Sequence, residues 1–156
     1  MRTLKIILWL FVINLGITFG AGLYEALVEF PHWLVKTADG LVWSAEAARN
    51  TDSGMKFWAF VSTGPLTLLT LASLFFAWKS KGELRKWWMV ASCIVLVERL
   101  FTFTFFIPNM IALMDMPSNA ESVAKAVRWG NFNVVRHVLN MGGWLAALKA
   151  FAIAHR

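Results

Sequence analysis

Four stretches of this chain are each about as long as the hydrocarbon core of a bilayer is thick, and all are poor in charge. A segment of roughly 20 apolar residues satisfies its backbone inside lipid only as a helix. The stretches cover residues 4–23, 57–78, 87–107 and 132–154. They predict an all-α, single-domain bundle of four transmembrane helices, with residues 24–56 and 108–131 as long outer loops. The link across residues 79–86 is short. Composition closes off the alternatives: 58% of the 156 residues are hydrophobic and 15% charged, against about 45–50% and 25% in soluble domains. A soluble domain of this size buries only about 70% of its surface, too little to hide so much apolar material. A soluble enzyme, a secreted disulfide scaffold and a disordered tail are all excluded.

Charge distribution predicts orientation. The N-terminus, the short link and the C-terminus together carry eight basic residues against Glu83 alone; the two long loops carry five basic against seven acidic. Basic residues stay on the cytoplasmic side, so the expectation is a multi-pass protein of the cytoplasmic (inner) membrane with both termini in the cytoplasm. Trp78, Trp87 and Trp88 then flank the inner boundary, and Trp33, Trp58 and Trp129 the outer one. The excess of 15 Lys and Arg over 9 Asp and Glu thus reports topology, and no reading element for nucleic acid accompanies it. Met1–Lys5 and Gly20-Ala21-Gly22 also fit a signal peptide with a small-residue cleavage site. The length of the apolar run, and Asn14 within it, favour a retained helix.

The outer loops carry local structure of their own. Pro31 and Pro108 can end or kink their helices. Ser44 is a possible N-cap for a short helix through Arg49. Thr51-Asp-Ser-Gly54 and Pro117-Ser-Asn119 read as turns. Residues 109–116 and 121–129 read as helical, with Gly130 a weak point before the fourth span. These pieces are expected to cap the bundle on its outer side. Cys93 reads as a small packing residue, and Gly16-x-x-x-Gly20 as a close-packing signature that serves the bundle or a homo-oligomer contact. Met114, Met116 and the phenylalanine-rich stretch 101–106 read as core or lipid-facing residues, with aromatic surface suited to a flat hydrophobic ligand.

Charge inside a bilayer is costly and points to function. The third span carries Glu98 and Arg99. The fourth carries Asn133, Arg136, His137 and Asn140, at helical spacings that form one stripe. The first carries Asn14, Thr18 and Glu25 on one stripe, with Tyr24 beside Glu25. The second offers only serine and threonine and reads as a wall. Glu98 lies nine residues before Ile107, about 14 Å at 1.5 Å per residue, and the polar groups converge in the outer half as a buried pocket. Glu98 can equally pair with Arg136 or with Arg99 as a structural lock. Glu25, Glu29 and His32 have the form of half a carboxylate di-iron motif, and Glu98 and His137 could complete a mononuclear site with Glu25. A second Glu-x-x-His is missing and Pro31 interrupts the first, so no metal is assigned.

Three strings, Gly20-Ala-Gly-Leu-Tyr-Glu25 with Pro31 and Trp33, Glu98-Arg99-Leu-Phe-Thr-Phe-Thr-Phe-Phe-Ile-Pro108, and Trp129-Gly-Asn-Phe-Asn133-Val-Val-Arg136-His137, resemble the anthrone-oxygenase-like family of small four-helix membrane proteins. The resemblance extends over nearly the whole chain. It implies oxygenation of polyketide anthrones to anthraquinones without a conventional cofactor, and Glu25, Glu98, Asn133 and Arg136 match the family pattern. The expected function is an oxidoreductase or oxygenase acting on a lipophilic aromatic substrate. Such chemistry needs a base, Glu98 or His137, and groups that hold an oxyanion, Arg136 and Asn133. Tyr24, Glu25 and Asn140 would bind and orient substrate, and Arg99 would set the charge state of Glu98. The alternative is a non-enzymatic protein that binds a lipid or small hydrophobic molecule. A transporter is disfavoured because the spans show no inverted repeat.

Overall fold

The computed structural model describes residues 2–51 and 53–156, with the backbone alone at Arg2 and Met55. The structure is all-α apart from one small hairpin. Helix α1 covers residues 2–33: an α-helix Arg2–Tyr24, a π-helical stretch Glu25–Glu29 and a last α-turn Phe30–Trp33. Strands β1 (Leu34–Thr37) and β2 (Gly40–Trp43) pair antiparallel, followed by the short helix α2 (Ala45–Thr51). Helix α3 covers residues 54–79, π-helical over Gly54–Thr63 and α-helical over Gly64–Lys79. Helix α4 covers residues 82–115, with a π-helical stretch Thr102–Phe106 between Gly82–Phe101 and Ile107–Asp115. Helix α5 runs unbroken from Ala120 to Ala154.

Each π-helical stretch ends just before a proline, for a local reason. Proline has no N–H, and its ring crowds the carbonyl four residues back. The residue before each proline donates instead to a carbonyl five residues back: Phe30 to Glu25, Gly64 to Ala59 and Ile107 to Thr102. The widened turn carries the helix past the proline, so Pro31 and Pro108 end neither α1 nor α4. Both helices are therefore longer than their apolar runs. The carbonyl of Val61, four residues before Pro65, accepts a 2.9 Å bond from the Asn14 side-chain amide of α1, which settles a polar group that lipid cannot.

Among the described residues, three helical segments are long and apolar enough to cross a membrane: Thr3–Trp33, Lys56–Lys79 and Gly82–Asp115. Their outward faces are greasy, with Leu27, Phe60 and Leu68 each at least 70% exposed. These are features of a multi-pass membrane protein. Helix α5 is as long, but its Arg136, His137, Asn133 and Asn140 keep it below that level of apolarity.

Helices α1, α3, α4 and α5 pack in a ring, each against two neighbours. One apolar core, centred on Phe11, Leu15, Leu66, Trp88 and Val95, fills the end nearest the chain termini. Small residues draw α4 and α5 together there: a Cβ on Gly143 would lie 2.6 Å from Val95 Cγ2. Gly16 likewise faces the Trp144 ring, whereas a Cβ on Gly20 would meet nothing, so only the first glycine of that signature packs inside the bundle. Cys93 is exposed rather than packed within.

A second core gathers Trp33, Trp43, Phe106, Leu113 and Trp129 at the opposite end. The hairpin belongs to it, and was not foreseen. Gly40, at φ +127°, closes the two-residue link, and an Asp-Gly pair beside apolar residues is the hairpin signal that sequence offers. Trp43 pairs across from Leu34 and donates its indole N–H to the Leu113 carbonyl at 2.8 Å. Ser44 caps α2 as expected, accepting from the Ala47 N–H at 3.2 Å. Asn119 and Ser122 form a reciprocal capping box at the start of α5, and Gly130 does not interrupt that helix. The turn expected at residues 51–54 centres on Asp52, outside the described residues.

Candidate functional site

Between the two cores lies a cavity of about 290 Å³. Its wall is mainly apolar, with Ile107, Met110 and Met114 of α4 and the indoles of Trp33, Trp58 and Trp129. Six of the eight residues singled out from sequence line it: Glu25 of α1, Glu98 and Arg99 of α4, and Arg136, His137 and Asn140 of α5.

The charges form two separate ion pairs. Glu25, buried in the first turn of the α1 π-helical stretch, accepts from Arg136 Nη2 at 3.3 Å. Its other oxygen accepts from the Trp58 indole N–H at 2.7 Å. The Arg136 guanidinium also lies 4.5 Å from the centre of the Phe106 ring and 5.5 Å from that of Trp58. This aromatic cage suits a weakly hydrated cation away from water. The pair joins α1 to its neighbour α5.

The second pair is local. Arg99 donates to Glu98 in a fork, Nε to Oε2 at 2.6 Å and Nη2 to Oε1 at 2.7 Å. Thr102, one helical turn on, donates to Oε1 at 3.0 Å. The Glu98 and Arg99 side chains are 1% and 5% exposed. Of the two locks that sequence left open, Glu98 forms the one with Arg99, and Arg136 serves Glu25.

Several polar atoms are buried without a hydrogen-bond partner among the described residues. On the cavity-lining residues these are Arg99 Nη1, His137 Nε2 and Asn140 Oδ1. His137 sits close against α1 at Gly22, where a Cβ would lie 2.8 Å from its Cε1. A side chain at position 22 would push the His137 ring aside.

Two residues from the sequence reading stand apart. Tyr24 is 57% exposed and off the cavity. Successive helical residues lie about 100° apart, so turning Glu25 inward turns its neighbour out. Asn133 is buried, with an unpartnered Oδ1, but does not line the cavity. Glu29 is half-buried and His32 exposed, and among the described residues no group of three or more His, Cys, Asp or Glu could hold a metal ion. The second apolar stretch is more than a wall, because it supplies Trp58. Thr102 was also missed, although its spacing of four from Glu98 was the available signal.

A family model described as anthrone oxygenase matches residues 55–146, more than half of the chain. The matched region holds every cavity-lining polar residue named above except those of α1. No curated protein and no solved structure matches.

Proposed function

The chain belongs to the anthrone oxygenase family, and we propose from this premise that it oxygenates a lipophilic aromatic substrate within the cavity between α1, α3, α4 and α5. In this reading all four long helices span the cytoplasmic membrane. The termini are cytoplasmic, and the hairpin, α2 and the start of α5 cap the outer side, with the cavity in the outer half. The charge asymmetry of the loops supports that orientation.

The reaction is the conversion of an activated ring methylene to a carbonyl. A C–H proton goes to a base, the resulting carbanion reduces dioxygen, one oxygen atom stays on carbon, and the other leaves as water after loss of the second hydrogen. The protein must supply the base and hold the negative oxygen. The observation that carries the assignment of the base is the unpartnered Nε2 of His137, a residue that lines the cavity. Glu98, already accepting from Arg99 and Thr102, is a poor base by comparison. Arg136, tied to Glu25 and caged by aromatic rings, reads as a structural cation that shapes the wall.

Purified protein in detergent, given anthrone under oxygen, is expected to form anthraquinone well above the rate in detergent alone. No acceleration over a panel of reduced polycyclic phenols would overturn this reading. The flexible Met110 and Met114 on the wall also suit a loosely specified hydrophobic guest, which favours a non-enzymatic binding protein as the second reading. A lipid retained unchanged in the native mass spectrum of inactive protein would support it.

A further inference from the structure

The geometry points to Arg99 as the docking point for an ionised oxygen of the ligand, with Glu98 as the residue that aims it. This rests on the reading that the cavity takes a lipophilic aromatic molecule. A guanidinium has five N–H donors in a fixed fork. Glu98 engages Nε and Nη2 of Arg99, and Thr102 holds Glu98 in turn. Rotation of the plane is thereby blocked, and Nη1 alone is left without a partner, on a side chain that is 5% exposed and lines the cavity. A buried cationic donor left unmet is costly, so a bound acceptor gains a charge-assisted hydrogen bond there. Arg136 also lines the cavity, but its charge is already paired with Glu25 and its guanidinium lies against the Phe106 and Trp58 rings.

The other unpartnered atoms on the lining residues have the opposite character. Asn140 Oδ1 is an acceptor, and His137 Nε2 is one when the imidazole carries its proton on Nδ1. A site with one strong donor and two acceptors fits a flat molecule bearing an acidic hydroxyl. The four charged side chains cancel, so an added anion is balanced if the hydroxyl proton passes to His137 Nε2, the base that serves the C–H bond of substrates without an acidic hydroxyl. The O–H bond breaks, an N–H bond forms, and the ligand oxygen keeps its electron pair against Arg99. Glu98 is then a positioning residue and leaves proton transfer to His137.

The test uses 2-hydroxyanthraquinone, whose visible band moves to longer wavelength on ionisation, and anthraquinone, which has no hydroxyl. Binding is read by quenching of tryptophan fluorescence and ionisation by the visible band. The wild-type protein is expected to bind the hydroxy compound about tenfold more tightly and to show the anion band at a pH where the free dye is neutral. Arg99→Met is expected to lose both the band and the preference while still binding anthraquinone. Glu98→Gln is expected to weaken the band, and Arg99→Lys to retain part of it. An anion band unchanged in Arg99→Met overturns the assignment. If Arg99→Met does not fold, an unchanged band in Glu98→Gln and Arg99→Lys overturns it as well. Equal binding of both dyes by the wild type, without an anion band, sinks the Arg99 assignment alone. Failure of either dye to quench sinks the cavity reading with it.

Discussion

Arg136→Met is expected to destabilise the protein severely, by about 3–5 kcal/mol, the usual result of removing one partner from a buried ion pair. Methionine keeps an aliphatic stem against the aromatic cage but leaves the Glu25 carboxylate buried without its cation, held by neutral donors such as the Trp58 indole. Because the pair ties α1 to α5, the loss acts on the assembly of the bundle and not on one helix. The same argument predicts rescue. Glu25→Gln in the Arg136→Met background removes the stranded charge and is expected to recover at least half of the loss, a coupling that a double-mutant cycle isolates. Thermal unfolding of the four proteins in one detergent measures it. A single variant as stable as the wild type, or a double variant no better than the single, would contradict a structural role for this pair.

His137→Gln is expected to leave stability nearly unchanged and to lower turnover of anthrone by about 10²–10⁴-fold, the contribution of a positioned base. Glutamine fills similar space and keeps a polar end toward the cavity, but it cannot accept a proton. The two variants thus separate the roles that sequence had grouped together. Arg136 is expected to matter to folding first, and His137 to chemistry. A His137→Gln protein that folds and turns over at the wild-type rate would remove His137 as the base and return attention to Glu98.

Much of the molecule was legible because lipid imposes severe constraints. Long runs almost free of charge announced the helices, and the few charges placed within them, Glu98, Arg99 and Arg136, marked the place where the helices gather polar groups. Pairing was not legible. Adjacent residues on a helix do not ordinarily face each other, so a fork from Arg99 to Glu98 looked no better than a bond from Arg136. The distinction depends on Glu25 and Trp58 reaching Arg136 from two other helices. Helix ends were misjudged at Pro31 and Pro108 because the π-helical turns that carry the chain past each proline have no composition of their own. The hairpin was hidden for the opposite reason: its Asp39-Gly40 signal lay in a loop read for helices and turns but not for strands. Tyr24 was drawn into the site by nearness to Glu25 in sequence, and one residue of helical rotation takes it out.

On the reading proposed above, one cavity between the four long helices takes a flat ligand, with its polar edge on Arg99 and His137. An experimental density map of the protein with 2-hydroxyanthraquinone bound would decide it. The expected result is planar density among Trp58, Met110 and Trp129, with an oxygen within hydrogen-bond distance of Arg99 Nη1. Ligand density confined to the outer, lipid-facing surface, with the cavity holding an acyl chain or water alone, would contradict it.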